Sequence, residues 1–465
     1  MASLLPWVRL LTVSPPLAFY QWLVSGTNRR HTQLYETQAG GKSFSNYPNT
    51  ASPFFLLVVD VYYTFYYAWA LPWLAFPLWP WGSGHFDEFS PTLKNLTCLL
   101  VHGILFFEQL SLFFFLPFMV FLPIWAVAAE VVIWYMVDSV IRKLLNGSSF
   151  TFHSDPRYAK PSEENAHESW IYLNGILIGE HWMQSHLNRL ALTFKRPILG
   201  MHNKTSGLIF DSLQAIMQRC FSYGTVNIRK TMHVVKDELY KPEKTKVILL
   251  LHSQGAIEGA LVIDWLLEEV PRDLLAKLEV YTFGAAANHM SSPRKYTGNR
   301  TLGQSTQVNG VRTSDISALN SGLIRYIEHY TFSTDPISLT GVLLFSRNIP
   351  STYPPPNYGG CVFQSNTLRG GHQFIQHYLD GMFPLARTDN GDFVGCAETN
   401  EFMESTVDFV ERSSDQVEER VIPRVLSEAT IMAIDGDPDG SVENGKRVKD
   451  YSRLWLYRNG LCPPA

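Results

Sequence analysis

The sequence predicts an α/β fold: a mostly parallel sheet with helices on both faces, preceded by an all-helical hydrophobic N-terminal region. Three observations carry this expectation. Val247–Leu251 is an unbroken apolar run that leads into His252-Ser253-Gln254-Gly255 and the helix-like stretch Ala256–Leu267, the pattern of a buried parallel strand turning sharply into a helix. Strand, loop and helix patterns alternate from residue 169 onward, as in sheets covered on both faces. Asn174, Ser253 and Asp335 each follow a strand, so all three are expected at the carboxyl ends of strands, where open α/β sheets bind ligands.

The N-terminal part, 1–145, reads as a membrane-associated region. Residues 1–24 carry Arg9, Pro6, Pro15 and Pro16 and suit a short surface-lying anchor or a signal sequence without an evident cleavage site. Val61–Trp81 is uncharged, preceded by Asp60, and its aromatics with Pro72, Pro77 and Pro80 suit a kinked or interfacial helix. Gln109–Ala129 holds 21 uncharged residues between Glu108 and Glu130, enough to cross a bilayer as a helix. Leu96–Phe107 and Val131–Val137 extend the apolar character on either side, and Arg142-Lys143 would suit a cytosolic interface. Because these runs show no polar face, helices entering or crossing a membrane are expected rather than a buried cap on a soluble domain. Pro117 and Pro123 leave crossing and re-entry both open.

Residues 146–168 are polar and read as a linker. The α/β domain is expected over 169–400. Its strands are Ser169–Leu173, Pro197–Met201, Lys246–Leu251, Leu278–Phe283 and Leu323–Tyr330, and its helices Glu180–Leu192, Ser206–Arg219, Tyr223–Leu239 and Ala256–Glu269. Gly298–Ser314 is a long polar loop. A C-terminal helical or irregular extension, 401–465, is expected to pack on this domain.

Bulk properties narrow the function. The 465 residues leave room for one large α/β core and a further region. A net charge of −4, with no basic run interleaved with aromatics, argues against nucleic acid as a partner. Cys98, Cys220, Cys361, Cys396 and Cys462 are scattered and without metal-ligand spacing, which favours reduced thiols on the cytosolic side of a membrane. Sequons begin at Asn95, Asn146 and Asn203 and matter only if those segments are lumenal. Asp435–Gly440 begins like a calcium loop, but Lys446 replaces the required glutamate, so no metal site is expected there. Nothing in the sequence indicates an oligomeric state.

Ser253, held between an apolar strand and a helix start, is the candidate nucleophile. The usual pattern around such a serine is Gly-x-Ser-x-Gly; here Leu251 takes the place of the first glycine, and Gly255 supplies the second. A serine hydroxyl needs a base and a carboxylate to orient that base. Asp335, in a loop stiffened by Pro336, is the preferred acid, with a helix-capping role as its ordinary alternative; Asp264 competes only by proximity in sequence. His372, after Gly370-Gly371, is the preferred base; His377, His252, His289 and His329 are the alternatives. The oxyanion donors expected are the amides of Gln254 and of Gly175 or Ile176. His202 and Asn203 could line the pocket.

With these residues in hand, the chain resembles the α/β-hydrolase superfamily, and within it the lipase and serine-esterase branches. Leu251–Gly255 is similar to the lipase-type elbow, Val280–Gly284 to the strand after the elbow helix in fungal triacylglycerol lipases, and Asp335-Pro336 to the acid position of that group. Leu173-Asn174-Gly175 looks like the oxyanion turn of related serine esterases, and the hydrophobic segments ahead of the domain look like those of fungal hydrolase-like proteins. The order Ser253, Asp335, His372 is that of the superfamily's triad. The resemblance covers 169–385. It implies acyl-ester hydrolysis or acyl transfer through an acyl-serine and without a cofactor; beside the apolar segments the expected substrate is a hydrophobic or lipid-like ester, with an acyltransferase or ester-processing tailoring enzyme of a secondary-metabolite pathway as the alternative. The competing expectation is an inactive scaffold that kept the fold. The expected location is a membrane, the endoplasmic reticulum being one candidate, with the domain facing the cytosol.

Overall fold

The computed structural model describes residues 31–36, 52–78, 82–293, 323–346, 358–367, 370–409 and 447–463. Residues 1–24, the Gly298–Ser314 loop and Asp435–Gly440 therefore lie outside the described residues.

Eleven strands are described: β1 (His31–Glu36), β2 (Thr151–His153), β3 (Glu168–Leu173), β4 (Leu199–Met201), β5 (Lys246–His252), β6 (Leu278–Phe283), β7 (Tyr326–Phe332), β8 (Cys361–Ser365), β9 (Leu385–Arg387), β10 (Phe393–Cys396) and β11 (Thr406–Phe409). Nine form one sheet in the order β11-β1-β8-β7-β6-β5-β3-β4-β2, and β9 and β10 form a separate antiparallel pair. From β4 through β3, β5, β6 and β7 to β8 every pairing is parallel; β2 and β1 add antiparallel pairings at the two sides. The sheet is thus mostly parallel.

Alternation along β5 explains why the run had to be apolar throughout. Val247, Leu249 and Leu251 face one core with α6 (Val226–Tyr240) and α7 (Gln254–Glu269). Ile248 and Leu250 face the other with α4 (Glu180–Phe194). Both faces are covered, so a polar side chain in the middle of this strand would need a buried partner.

The N-terminal region is mainly helical and also supplies β1. Its helices are α1 (Pro53–Tyr66), α2 (Leu93–Phe115) and α3 (Ile124–Asn146). The kink expected within Val61–Trp81 is present, but it lies ahead of the prolines: α1 breaks at Tyr67 and meets the 3-10 helix Ala68–Leu74, which contains Pro72, at 78°. The Gln109–Ala129 run is not one helix. It is the tip of a hairpin, in which α2 passes into the 3-10 turn Leu116–Phe121 and Leu122 adopts extended backbone (ψ 150°) before Pro123 starts α3. A proline ring clashes with helical backbone at the residue before it, which accounts for the break. By length and composition α2 with its 3-10 turn, and α3, are each long and apolar enough to cross a membrane.

Within the polar 146–168 stretch, Thr151–His153 forms edge strand β2 on β4, because an edge needs only one row of backbone bonds and tolerates polar side chains. At the C-terminal end, Tyr457 packs edge-on against Trp170 with ring centroids 5.0 Å apart, and Arg453 pairs with buried Glu279 at 3.0 Å. The sequon asparagines are all buried and their amides are occupied: Asn95 Nδ2 donates to Asp87 O, Asn146 Nδ2 to Thr205 O and Asn203 Nδ2 to Gln254 Oε1.

Candidate active site

Ser253 sits between β5 and α7 with φ 55° and ψ −120°, a conformation that costs a non-glycine residue on the order of 1–3 kcal/mol. The turn is held from both sides, since Ser253 N donates to Phe283 O (3.1 Å) and Ala286 N donates to Ser253 O (3.2 Å). Gly255 is required by space: a Cβ there would lie 2.5 Å from Leu173 O and 2.9 Å from Asn174 O.

Leu251 is accommodated by a residue the sequence reading did not single out. A Cβ on Gly259 would lie 2.4 Å from Leu251 Cδ1, so the isobutyl group occupies the space left by a missing side chain one turn along α7. The signal was available as the repeat Gly255-x-x-x-Gly259.

His372 lies beside Ser253. Its Nε2 is 2.8 Å from Ser253 Oγ, and its Nδ1 is 3.0 Å from both carboxylate oxygens of Asp335. With Nδ1–H donating to the carboxylate, Nε2 is left as acceptor for the serine proton. Asp335 is fully buried and its Oδ2 also accepts from Tyr378 Oη (2.6 Å) and Ser338 Oγ (2.9 Å). Its capping role exists alongside this one: Oδ1 accepts from Ile337 N at 2.8 Å, at the start of α8 (Pro336–Thr340). Burial pushes the Asp335 carboxyl up, but the facing His372 and the hydrogen bonds from His372, Tyr378 and Ser338 outweigh it and hold the group below its usual value. Gly284, with φ +57°, leaves room for this cluster, since a Cβ there would lie 2.8 Å from Asp335 Oδ2 and 3.1 Å from His372 Cε1.

The other histidines have different partners. His377 accepts from Gln373 N at Nδ1 (2.9 Å) and donates from Nε2 to Pro77 O (3.0 Å). His289 pairs with Asp264 at 2.8 Å, and His329 bridges Thr282 and Gly359 O. His252 stacks on His372 with ring centroids 4.9 Å apart, and its Nε2 donates to His372 O (3.1 Å). Burial first, then the neighbouring His372 and His186, keeps the His252 imidazole neutral, well below its usual value. It buttresses the His372 ring without reaching for the serine proton.

Gly175 presses against Ser253: a Cβ on it would lie 2.6 Å from Ser253 Cβ and 3.2 Å from Oγ. Its carbonyl is fixed by Asn174 Nδ2 (2.8 Å), which also donates to Asn203 O (2.9 Å), while Asn174 Oδ1 accepts from Asn203 N (2.8 Å). Pinning the Gly175 carbonyl turns the other edge of that peptide, the Ile176 N–H, to the opposite side. Asn203 Nδ2 donates to Gln254 Oε1 (2.9 Å), Gln254 Nε2 to Gln218 Oε1 (2.8 Å), and Gln218 Nε2 to Glu258 Oε1 (2.9 Å). This buried chain ties the Asn174 turn to the elbow helix. Burial, opposed by the Gln218 bond, raises the Glu258 carboxyl to about 7. Asn203, expected to line the pocket, is therefore a strut of the site, and the next helix, α5 (Leu208–Phe221), begins after Gly207.

Membrane-region backbone closes the other side. His372 N donates to Trp73 O (3.0 Å), Gln373 Nε2 to Leu74 O (2.6 Å) and Gln376 Nε2 to Pro77 O (2.6 Å). Tyr378, Gly284 and the Trp73–Pro77 strap are tied to the site by long-range contact rather than by spacing, whereas Ser338, three residues after Asp335 in the helix that Asp335 caps, was within reach of spacing and was missed. Among the described residues no group of three or more His, Cys, Asp or Glu side chains could hold a metal ion. No family model, curated protein or solved structure matches this chain.

Proposed function

We propose that the chain is a membrane-associated serine hydrolase that cleaves a hydrophobic or lipid-like carboxylic ester, of the lipase and serine-esterase kind. The observation that carries this reading is the continuous hydrogen-bond path Ser253 Oγ–His372–Asp335 at a strained strand-to-helix turn.

In this mechanism Ser253 Oγ attacks the ester carbonyl while His372 Nε2 takes its proton. Asp335, already accepting from Nδ1–H, stabilises the imidazolium. The tetrahedral oxyanion is received by the amides of Gln254, at the amino end of α7, and of Gly175 or Ile176. Collapse breaks the bond to the alcohol oxygen, which takes the proton from His372 and departs. Water, deprotonated by the same imidazole, then releases the acid from the acyl-serine. Residues 169–400 would form the catalytic unit. The apolar helix α2, held through Gln109 to Ser206 in the loop after β4, favours a substrate that partitions into a bilayer. Buried sequons and five free cysteines favour a cytosolic catalytic face.

The test is a fluorophosphonate probe with p-nitrophenyl ester turnover on the detergent-solubilised chain. The probe should label Ser253, and Ser253→Ala should abolish both labelling and turnover. Labelling that survives the substitution refutes the assignment.

A further inference from the structure

The α2–α3 hairpin exposes its apolar tip. Val120 is 79%, Phe121 83%, Ile124 88% and Trp125 72% exposed. From Leu112 through Ala129 the chain has no charged side chain, so the hairpin ends in apolar residues, whereas a turn that emerged beyond a bilayer would meet headgroups and water.

The catalytic domain also limits how deep the hairpin reaches. Gln109 Nε2 donates to Ser206 O, Leu105 is buried, and His102 stacks on Trp182 with ring centroids 5.1 Å apart, so α2 lies on the domain up to Gln109. Beyond that point Gln109–Phe115 at about 1.5 Å per residue, and Leu116–Phe121 at about 2.0 Å per residue, reach about 20 Å when laid end to end. On the return, Asp138 is buried and paired with Arg142 at 2.6 Å, and Asn146 holds Thr205. Ile124 to Asp138 is again about 20 Å. A bilayer's hydrocarbon core is about 30 Å thick and one leaflet about half of that. Full crossing by the hairpin would pull the 202–207 loop, Trp182 and their buried hydrogen bonds into lipid.

We infer that this hairpin enters only the leaflet facing the catalytic domain and does not cross: the chain is held monotopically here, its tip near the bilayer midplane. The occupant of the exposed apolar face is the acyl chains of one leaflet. Glu130, about 9 Å back from Ile124 along α3, then lies close under the headgroups, which its side chain can reach. α5 starts against the base of the hairpin, with Leu208 and Leu213 partly exposed and Phe210 packed on Phe113 and Trp134, which continues the apolar surface from the hairpin to the domain. This inference stands apart from the hydrolase reading, since it uses none of the site residues.

The experiment uses the full chain inserted from outside into phosphatidylcholine vesicles. Cysteines are replaced by serine, Val120→Cys carries an NBD fluorophore, and nitroxides are placed at set depths on the lipid chains. The expected result is strongest quenching by nitroxides near the acyl-chain end, and protection from dithionite on both sides. Quenching by dithionite trapped inside the vesicle means crossing, and by external dithionite a surface-lying hairpin; either overturns the inference. Should the cysteine-free chain fold poorly, the unmodified chain is crosslinked to phospholipids with a diazirine either at the acyl terminus or near the glycerol. Crosslinks at 116–125 from the terminal probe alone support the inference, and crosslinks there from the glycerol-proximal probe overturn it.

Discussion

Leu251 and Gly259 should behave as one unit, and a double-mutant cycle measures this. Leu251→Ala empties a fully buried site and should cost about 2–5 kcal/mol. Gly259→Ala places a methyl 2.4 Å from Leu251 Cδ1 and 2.8 Å from Cδ2, so the leucine must give way. Overpacking of this kind costs about 1–3 kcal/mol, and the gain from replacing a helical glycine offsets about 0.5–1 kcal/mol of it. In the Leu251→Ala background the same methyl enters vacated space and should be neutral to stabilising, by up to about 1 kcal/mol. The two effects of Gly259→Ala therefore differ by about 2 kcal/mol, far above the roughly 0.5 kcal/mol scatter of independent sites. Urea unfolding of the detergent-solubilised chains, followed by tryptophan fluorescence, gives the four stabilities. Fluorophosphonate labelling should slow in Gly259→Ala alone, because a displaced Leu251 disturbs His252 and Ser253. Additive stabilities would refute the idea that Gly259 is what admits leucine into the elbow.

Three further outcomes follow from the site. Tyr378→Phe removes a 2.6 Å hydrogen bond to Asp335 and should lower kcat about tenfold with KM unchanged, measured on a p-nitrophenyl ester; an unchanged kcat would exclude a positioning role. Asn174→Ala frees the Gly175 carbonyl and should lower kcat about tenfold or more while thermal stability falls by only about 1–2 kcal/mol; a loss of activity explained wholly by unfolding would contradict it. His329 is buried and neutral, and burial lowers it from 6.5 to about 4. The unfolded chain therefore binds a proton that the folded chain refuses, so stability falls as pH drops between those values, by about 1.4 kcal/mol per pH unit for this group. His329→Gln should remove that much of the slope in urea titrations run across this window, and an unchanged slope would contradict it.

Local sequence determined the central strands because burial on both faces leaves no alternative to an apolar run. Val247–Leu251 was legible for that reason, and the polar residues that follow strands marked the sheet's carboxyl edge. The same logic placed Ser253, Asp335 and His372 in candidate roles, since nucleophile, acid and base each need a loop at that edge. The amphipathic helices Glu180–Phe194 and Gln254–Glu269 were visible through their apolar spacing to within two residues at each end.

Tertiary structure alone decided what depends on contact between distant segments. Edge strands β2 and β11 carry weak patterns, because half of each strand's backbone bonding is absent and the sheet recruits it from whatever chain passes. The apolar N-terminal run was legible as apolar, but its division into two helices rested on where the chain could fold back at Pro117 and Pro123, and its depth on the contact of Gln109 with Ser206. Tyr378 became a partner of Asp335 only when the helical segment Phe374–Leu379 packed beside the end of β7, and Trp73 a partner of His372 only when the N-terminal strap reached it. Leu251 looked like a defect in a line of sequence; in three dimensions Gly259 answers it, because close packing is satisfied by the sum of facing volumes and not by the identity of either residue.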